Sequence, residues 1–191
     1  MTRELVYTGF MSLDGVMDSP GGTSEGHRGG GWVFDVEFSE EAYSLKSEEL
    51  EETSALMFGR RSYELFAAVW PDSDDHVAYK ELPKYVVSSG LADDALVDGW
   101  GTNTILRSTE DVAELLQGDG GAIFIHGSPE LALRLAEADL IDRYNLLVFP
   151  VLLGAGKSVF PRTDRDSQKL KLREADSYGN GVAKLVYEVV R

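Results

Sequence analysis

The stretch that most constrains the fold of this chain runs from Ala122 to Leu140. It opens with the apolar run 122–125, which is typical of a buried strand. A short turn follows, and then Ser128 and Pro129. Serine is favoured at the N-cap of a helix and proline at its first position. The sequence therefore predicts a strand, a glycine turn and a helix. The N-terminus of that helix either binds an anion such as phosphate or, as at many such junctions, binds nothing.

A second strand–helix junction follows the apolar run 55–58, which ends at Gly59. Arg60 and Arg61 then stand on the first turn of a predicted helix. Cations at a helix N-terminus oppose the helix dipole, so their position favours an anion bound between them and the helix. Two solvent-exposed arginines are the alternative interpretation.

A third junction is the predicted strand 85–87, which precedes Ser88 and Ser89. Hydroxyl groups at a strand end either bind phosphate or cap the next turn. Strands alternate with helices through the first three quarters of the chain, which favours a largely parallel sheet. Because ligands of such sheets bind outside the carboxyl ends of the strands, the three junctions are predicted to line one anion-binding crevice.

The rest of the chain divides into further predicted elements. These are strands over 5–11, 104–106 and 144–151, helices over 35–52 and 109–117, and a terminal β-hairpin over 170–175 and 182–190. Thr109 is the predicted N-cap of the second helix, and the glutamates within 48–52 are interpreted as a solvated surface of the first. The glycine-rich loop 21–31 is either a flap over a ligand or an ordinary surface loop.

The composition excludes several classes of protein. The net charge of −15 argues against a nucleic-acid partner and requires that any phosphate ligand be held by locally placed arginines. The chain has no cysteine, so disulfides and thiolate metal sites are excluded, and no metal site is predicted. No apolar run near the N-terminus resembles a signal peptide or a membrane span. We therefore expect one cytoplasmic domain over residues 1–191 with no membrane partner.

Several motifs occur along the chain in a fixed order. They are Ser12-Leu13-Asp14-Gly15, the run from Met57 to Glu64, Val87-Ser88-Ser89, His126-Gly127-Ser128, Leu140-Ile141-Asp142, and the run from Pro150 to Lys157 with Phe160. In this order they resemble the reductase-type C-terminal domain of the riboflavin-biosynthesis deaminase–reductases, a group with the dihydrofolate reductase fold. No deaminase domain with Cys/His zinc ligands precedes the resemblance, so the chain looks like a stand-alone member. The resemblance implies a three-layer α/β fold with a central mostly parallel mixed sheet, helices on both faces and a C-terminal antiparallel hairpin.

The resemblance also implies an NADPH-dependent reductase of a small heterocycle of the pyrimidine or pterin type. The adenosine 2′-phosphate end would contact Arg60, Ser62, Ser88 and Ser89. The pyrophosphate would contact Gly127, Ser128 and the helix start through Leu131. Gly59 and His126, beside these groups in the sequence, are further candidates for binding the cofactor. The backbone around Phe10, with Val16 and Met17, would face the nicotinamide. Many relatives carry Gly-Gly where this chain has His126-Gly127, so the side chain at 126 either narrows the cofactor groove or points into the core.

Two carboxylates are candidates for the acid that protonates the substrate. Dihydrofolate reductase uses a carboxylate at the start of its first long helix, where this chain offers Glu41 among other acidic residues, and Asp14 is the second candidate. A catalytically silent nucleotide-binding module of the same fold is the alternative function. The apolar, alternating terminal strands, together with the resemblance, predict a homodimer.

Overall fold

Strands and helices alternate along the chain in the computed structural model, which describes residues 2–23, 26–160 and 167–191. The strands are β1 (Leu5–Ser12), β2 (Thr53–Gly59), β3 (Lys84–Val87), β4 (Asn103–Leu106), β5 (Ala122–His126), β6 (Arg143–Phe149), β7 (Lys169–Ser177) and β8 (Ala183–Val190). The α-helices are α1 (Glu40–Glu52), α2 (Arg60–Ala67), α3 (Thr109–Gln117) and α4 (Pro129–Glu137). Short 3-10 helices cover Trp32–Asp35, Trp70–Asp72, Asp74–Tyr79 and Asp93–Ala95.

The strands form one sheet in the order β4-β3-β2-β5-β1-β6-β8-β7. Neighbouring strands from β4 to β6 pair in parallel, whereas β8 is antiparallel to β6 and β7 is antiparallel to β8. The mostly parallel sheet with a terminal antiparallel hairpin is therefore confirmed. Because β1 to β6 are parallel, their carboxyl ends lie at one edge of the sheet, which is where the predicted junctions fall.

Helices cover both faces of the sheet, as predicted. Val112 of α3 and Leu135 of α4 pack with Leu5 and other apolar residues on one face. On the other face Leu45 of α1 and Tyr63 of α2 cover two further apolar clusters. Strands β5 and β6 are buried along their whole length, because both of their faces lie beneath helices.

The predicted start of the first helix at Asp35 is wrong. The segment instead forms the 3-10 helix Trp32–Asp35 and then an extended stretch, and α1 begins at Glu40. Ser39 is the N-cap of α1, and its side chain accepts a hydrogen bond from the backbone N–H of Ala42. Phe38, which falls within the predicted helix 35–52, lies outside α1 and is exposed. The N-cap hydroxyl therefore determines where this helix begins.

The predicted N-cap of α3 is displaced by one residue. Ser108, not Thr109, occupies the cap, and its hydroxyl accepts a hydrogen bond from the backbone N–H of Asp111. The Asp111 carboxylate in turn accepts from the backbone N–H of Ser108, which completes a capping box.

None of the described helices is long and apolar enough to cross a lipid bilayer. Within the described ranges, no group of three or more His, Cys, Asp or Glu side chains is placed to hold a metal ion.

Candidate functional site: a cationic crevice at the carboxyl edge of the sheet

The carboxyl ends of β2, β3, β4 and β5 open onto a crevice of about 730 Å³. The structure thus brings the three sequence-predicted junctions together, because they follow adjacent parallel strands. The predicted residues that line this crevice are Gly59, Arg60, Ser62, Ser88, Ser89, Ser128 and Leu131.

A fourth junction, which sequence reasoning missed, completes the crevice. Arg107, Ser108 and Thr109 follow β4 directly and line the same space. Arg107 donates hydrogen bonds to the carbonyl oxygens of Ser88 and Leu91, so it holds the turn after β3 in place. The arginine and hydroxyls between a strand and a helix were a usable signal, since they repeat the pattern of the second and third junctions.

The charge of the crevice is opposite to that of the chain as a whole. Its cationic side chains are Arg60, Arg61, Arg107, Arg134 and Lys157, and its carboxylates are Glu64 and Glu130. Both carboxylates are engaged with these cations, at 2.7 Å from Arg60 Nε to Glu64 and 3.3 Å from Lys157 Nζ to Glu130. In a chain of net charge −15, this local excess of cations fits an anionic ligand.

Two serine hydroxyls join the junctions after β2 and β5. The backbone N–H of Gly59 donates to Ser128 Oγ at 2.9 Å, and the backbone N–H of Ser128 donates to Ser62 Oγ at 2.9 Å. Ser128 Oγ also donates to the carbonyl oxygen of His126 at 3.2 Å. Ser128 is therefore not the side-chain cap of α4 that its sequence position predicts, because its hydroxyl bonds across to β2 and its backbone is left-handed at φ +56°.

A family model matches residues 3–184, nearly the whole chain, and its description is the RibD C-terminal domain. The chain belongs to the RibD C-terminal domain family. The resemblance inferred from the ordered motifs is thereby confirmed.

Two Bacillus subtilis (strain 168) proteins resemble this member of the family in sequence. YyaP is 26% identical over 145 residues, which cover 72% of this chain and 75% of YyaP. YwjB is 26% identical over 182 residues, which cover 95% of this chain and 96% of YwjB. Both relatives are described as uncharacterized proteins.

Three solved structures share the fold of this RibD C-terminal domain. A Shewanella sp. PV-4 protein described in terms of riboflavin biosynthesis has a TM-score of 0.75 at 18% identity, with both chains fully covered. A diaminohydroxyphosphoribosylaminopyrimidine deaminase/5-amino-6-(5-phosphoribosylamino)uracil reductase from Thermotoga maritima has a TM-score of 0.68 at 11% identity, covering 99% of this chain and 57% of that one. Dihydrofolate reductase from Enterococcus faecalis, complexed with NADP(H) and RAB-propyl, has a TM-score of 0.62 at 14% identity, with both chains fully covered. These likenesses confirm the dihydrofolate reductase-like fold.

Gly127 does not line the crevice of this family member, although the sequence placed it against the cofactor. Its backbone is left-handed at φ +56°, and a Cβ atom there would lie 3.3 Å from both Phe66 Cζ and Ser62 Oγ. The backbone conformation and packing against α2 therefore both require glycine here.

His126 also lies outside the crevice lining and is only 9% exposed. Its ring contacts the rings of Trp70 and Tyr79 edge to face, at centroid distances of 5.8 and 5.5 Å. Burial lowers the pKa of His126 to about 3, and the nearby cations Lys46 and His76 lower it further. Of the two alternatives left open by the sequence, the structure favours a side chain that points into the core.

The residues predicted at the nicotinamide end also lie outside the crevice lining. Val16 and Met17 are buried, and the backbone N–H of Met17 donates to the carbonyl oxygen of Lys157. Phe10 packs against Tyr43 and Phe149, each at a centroid distance of 5.5 Å. Lys157 lines the crevice, so its bond to Met17 connects the loop after β1 to the crevice.

The geometry of Asp14 argues against the predicted role of proton donor. Its carboxylate accepts hydrogen bonds from Ser12 Oγ and from the backbone N–H groups of Gly154 and Leu153. These bonds lower the pKa of Asp14 to about 2, with the Ser12 bond as the largest cause, so it is ionised at neutral pH. Asp14 therefore ties together the loops that follow β1 and β6.

Glu41, the other predicted acid, is exposed on the first turn of α1. The buried acid of this helix is instead Glu49, which the sequence interpretation wrongly placed on the solvated surface. Glu49 is 2% exposed and accepts hydrogen bonds from Thr8 Oγ1 at 2.7 Å and Asn145 Nδ2 at 2.9 Å. The signal was present, because Glu49 follows the buried Leu45 by four residues and so continues the same helix face.

Lys46 completes the polar cluster around Glu49. Its Nζ atom lies 3.0 Å from Glu49, contacts Thr8 Oγ1, and lies 5.4 Å from the ring centroid of Phe10. The Lys46 side chain is 22% exposed, so its ammonium group lies at the boundary between this buried cluster and solvent.

Proposed function

We propose that this protein is an NADPH-dependent reductase that transfers hydride to a small heterocycle of the pyrimidine or pterin type. The observation that carries the proposal is the cationic crevice at the carboxyl ends of β2 to β5, in a chain of net charge −15. Membership of the RibD C-terminal domain family supports it. NADPH would supply the hydride, and the protein would orient cofactor and substrate and provide an acid.

The residues of the crevice fit the phosphate groups of such a cofactor. Arg60 stands at the N-terminus of α2, and Ser88 and Ser89 follow the adjacent strand β3. Guanidinium groups form paired, charge-assisted hydrogen bonds with phosphate oxygens. These residues would hold the adenosine 2′-phosphate, while the backbone around Ser128 at the start of α4 would hold the pyrophosphate.

The proposed reaction is tested by mixing the protein with NADPH and a panel of oxidised pyrimidines and pterins. The panel includes substrates of 5-amino-6-ribosylamino-pyrimidine reductase and of dihydrofolate reductase. We expect NADPH to bind and its absorbance to fall with at least one of the two classes of heterocycle. Binding without oxidation across the panel would favour the catalytically silent nucleotide-binding module. A protein that binds no NADPH would contradict both.

Arg60 and Glu64 give a matched pair of variants for cofactor preference. The Arg60 guanidinium is bonded to the Glu64 carboxylate at 2.7 Å, and a phosphate would compete with that carboxylate. Arg60→Ala should weaken NADPH binding by about 1.5–3 kcal/mol, roughly 10- to 100-fold, because it removes charge-assisted bonds to the 2′-phosphate. Glu64→Gln should tighten NADPH binding, and both variants should leave the affinity for NADH nearly unchanged.

Isothermal titration with NADPH and NADH measures these affinities. Arg173→Ala removes an exposed arginine from β7, outside the crevice lining, and serves as the control for a general change in charge. Equal losses for NADPH and NADH in Arg60→Ala would refute the assignment of Arg60 to the 2′-phosphate.

Lys46 replaces Asp14 as the proposed source of the proton. It carries its ammonium group beside Phe10, whose backbone is predicted to face the nicotinamide, and Glu49 and Thr8 hold it there. Lys46→Met should slow NADPH oxidation about 100-fold or more while NADPH affinity stays within a factor of about two, since general acids contribute on this scale. An unchanged rate of oxidation in a folded Lys46→Met variant would remove Lys46 from the reaction.

A further inference from the structure

Large apolar side chains are exposed near the carboxyl ends of β1 and β6, beyond the cationic crevice in the order of the strands. Each is at least 66% exposed, and they are Leu13, Phe34, Phe38 and Leu152. The loops that carry Leu13 and Leu152 run side by side, because the backbone N–H of Leu13 donates to the carbonyl oxygen of Val151. Exposed apolar patches rimmed by polar residues mark binding sites for ligands or partners.

The ring of Phe38 continues a row of aromatic side chains that ends beside Lys46. Phe38 packs on Tyr43 at a centroid distance of 5.0 Å, and Tyr43 packs on Phe10 at 5.5 Å. The Phe10 ring lies 5.4 Å from Lys46 Nζ, the proposed source of the proton. We call Phe10, Tyr43 and Phe38 the aromatic row. It extends from the place predicted for the nicotinamide to solvent, because Phe10 and Tyr43 are half-buried and Phe38 is exposed.

The segment that carries Phe38 is acidic, whereas the crevice is cationic. Residues 26–41 contain one arginine, Arg28, and four exposed carboxylates, which are Asp35, Glu37, Glu40 and Glu41. Lys46, the cation that contacts the aromatic row, is already bonded to Glu49 at 3.0 Å. A phosphate or carboxylate placed beside Phe38 would therefore meet an excess of like charge, while a neutral or cationic group would not.

We propose that the substrate of this reductase carries an aromatic substituent without negative charge, which stacks on Phe38 while the reacting ring lies over Phe10 and Lys46. This inference rests on the proposed function and specifies the chemical class of its substrate. The Thermotoga maritima neighbour is named for a phosphoribosyl compound. The apolar, acidic surroundings of Phe38 favour a different substituent in this chain.

A competing interpretation is that Phe38 only fixes the start of α1. It precedes the N-cap Ser39 and packs on Tyr43, four residues after that cap, which is the arrangement of a hydrophobic staple. A staple needs only the contact with Tyr43. It does not account for a ring that stays 71% exposed or for the exposed Leu13 and Leu152 at the same edge.

The test measures how tightly the full chain, with NADP⁺ present so that no hydride is transferred, binds two matched series of probes. One series is pterin, 6-phenylpterin and 6-hydroxymethylpterin phosphate. The other is 5,6-diaminouracil, its 6-anilino derivative and its 6-ribosylamino 5′-phosphate derivative. On at least one scaffold the phenyl derivative should bind about 5- to 10-fold more tightly than its parent, as expected for a stacked aromatic pair. The phosphate derivative should bind no more tightly than the parent.

Variants of Phe38 separate stacking from the staple. Phe38→Ala should remove the advantage of the phenyl derivative and leave the affinity for the parent heterocycle within about twofold. Phe38→Leu keeps an apolar contact with Tyr43, so it should retain the stability of the wild type in a melting curve while losing most of the same advantage. Leu172→Ala, which shortens an exposed side chain on β7, is the control and should change neither affinity.

The charge near Phe38 is tested with Glu37→Lys. This variant should tighten binding of the phosphate derivatives about two- to fivefold, the scale of an exposed ion pair, and leave the phenyl derivatives unchanged.

A phenyl derivative that binds no more tightly than its parent on either scaffold would overturn the proposal, as would a phosphate derivative that binds most tightly. Equal losses for parent and phenyl derivative in Phe38→Ala would leave Phe38 as a staple only. Failure of the proposed function is a separate result, since it appears as a protein that binds no NADP⁺ and oxidises no NADPH. The crevice lining contains no residue of the aromatic row, so these variants leave the proposed phosphate site intact.

Discussion

Acid should destabilise this protein through a single histidine. As the pH falls from 6.5 towards 3, we expect His126 alone to remove about 5 kcal/mol from the free energy of unfolding, because its pKa is lowered from 6.5 to about 3 by burial. That loss is comparable to the whole stability of many domains. The free energy of unfolding should therefore fall steadily, by about 1.4 kcal/mol per pH unit, as the pH drops below 6.5.

The direction of the effect follows from which state binds the proton. In the unfolded chain His126 takes up a proton as the pH falls through 6.5, while in the folded chain it stays neutral until about pH 3. Between pH 6.5 and about pH 3 the unfolded state therefore binds more protons than the folded state, so acid favours unfolding. The contribution of neutral His126 to the free energy of unfolding is fully present only above pH 6.5. The cause in the fold is a ring buried against Trp70 and Tyr79, with Lys46 and His76 close enough to oppose a further positive charge.

His126→Gln isolates this contribution. The variant cannot titrate in this range, so its free energy of unfolding should fall much less steeply with acid than that of the wild type. Ile125→Val, a neighbouring change in the core of β5, should cost about 1 kcal/mol equally at every pH and serves as the control. Urea unfolding at a series of pH values measures both, and parallel curves for wild type and His126→Gln would refute the prediction.

Gly127→Val should lower the free energy of unfolding by about 3 kcal/mol, from strain in a left-handed backbone and overpacking of the core. At φ +56° the added Cβ atom would press on Phe66 Cζ and Ser62 Oγ, both at 3.3 Å. Because Ser62 Oγ accepts the bond from Ser128 N–H, the change should also shift the start of α4. The folded fraction should nevertheless bind NADPH with only a modest loss, smaller than that of Arg60→Ala.

Gly99 provides the matched control. It has φ +76°, and a Cβ atom there would meet nothing within 4 Å, so Gly99→Val introduces backbone strain without overpacking. Its cost should be about 1–2 kcal/mol, and the difference between the two variants measures the packing against Phe66. Thermal melts and NADPH titration on each variant test this. A Gly127→Val protein with normal stability and no NADPH binding would instead return this glycine to the cofactor site.

The amino-acid sequence was enough to predict the order of most strands and helices and to predict that their junctions share one edge of the sheet. The alternation of short apolar runs with helical patterns is local, and parallel pairing then brings the strand ends together. That is why Gly59, Ser88 and Ser128 could be predicted to meet before any distance was known. The reductase family could likewise be recognised from motifs whose order depends only on the chain.

The roles of individual side chains, in contrast, depend on contacts that exist only in the folded protein. Glu49 is buried because Thr8 and Asn145, far away in sequence, supply the hydrogen bonds that a buried carboxylate needs. Gly127 packs against α2 because its left-handed backbone directs the Cβ position towards Phe66 and Ser62. The burial, pKa and direction of a side chain depend on residues of other strands and helices that pack against it. The spacing of apolar residues predicts only which face of its own strand or helix a residue occupies.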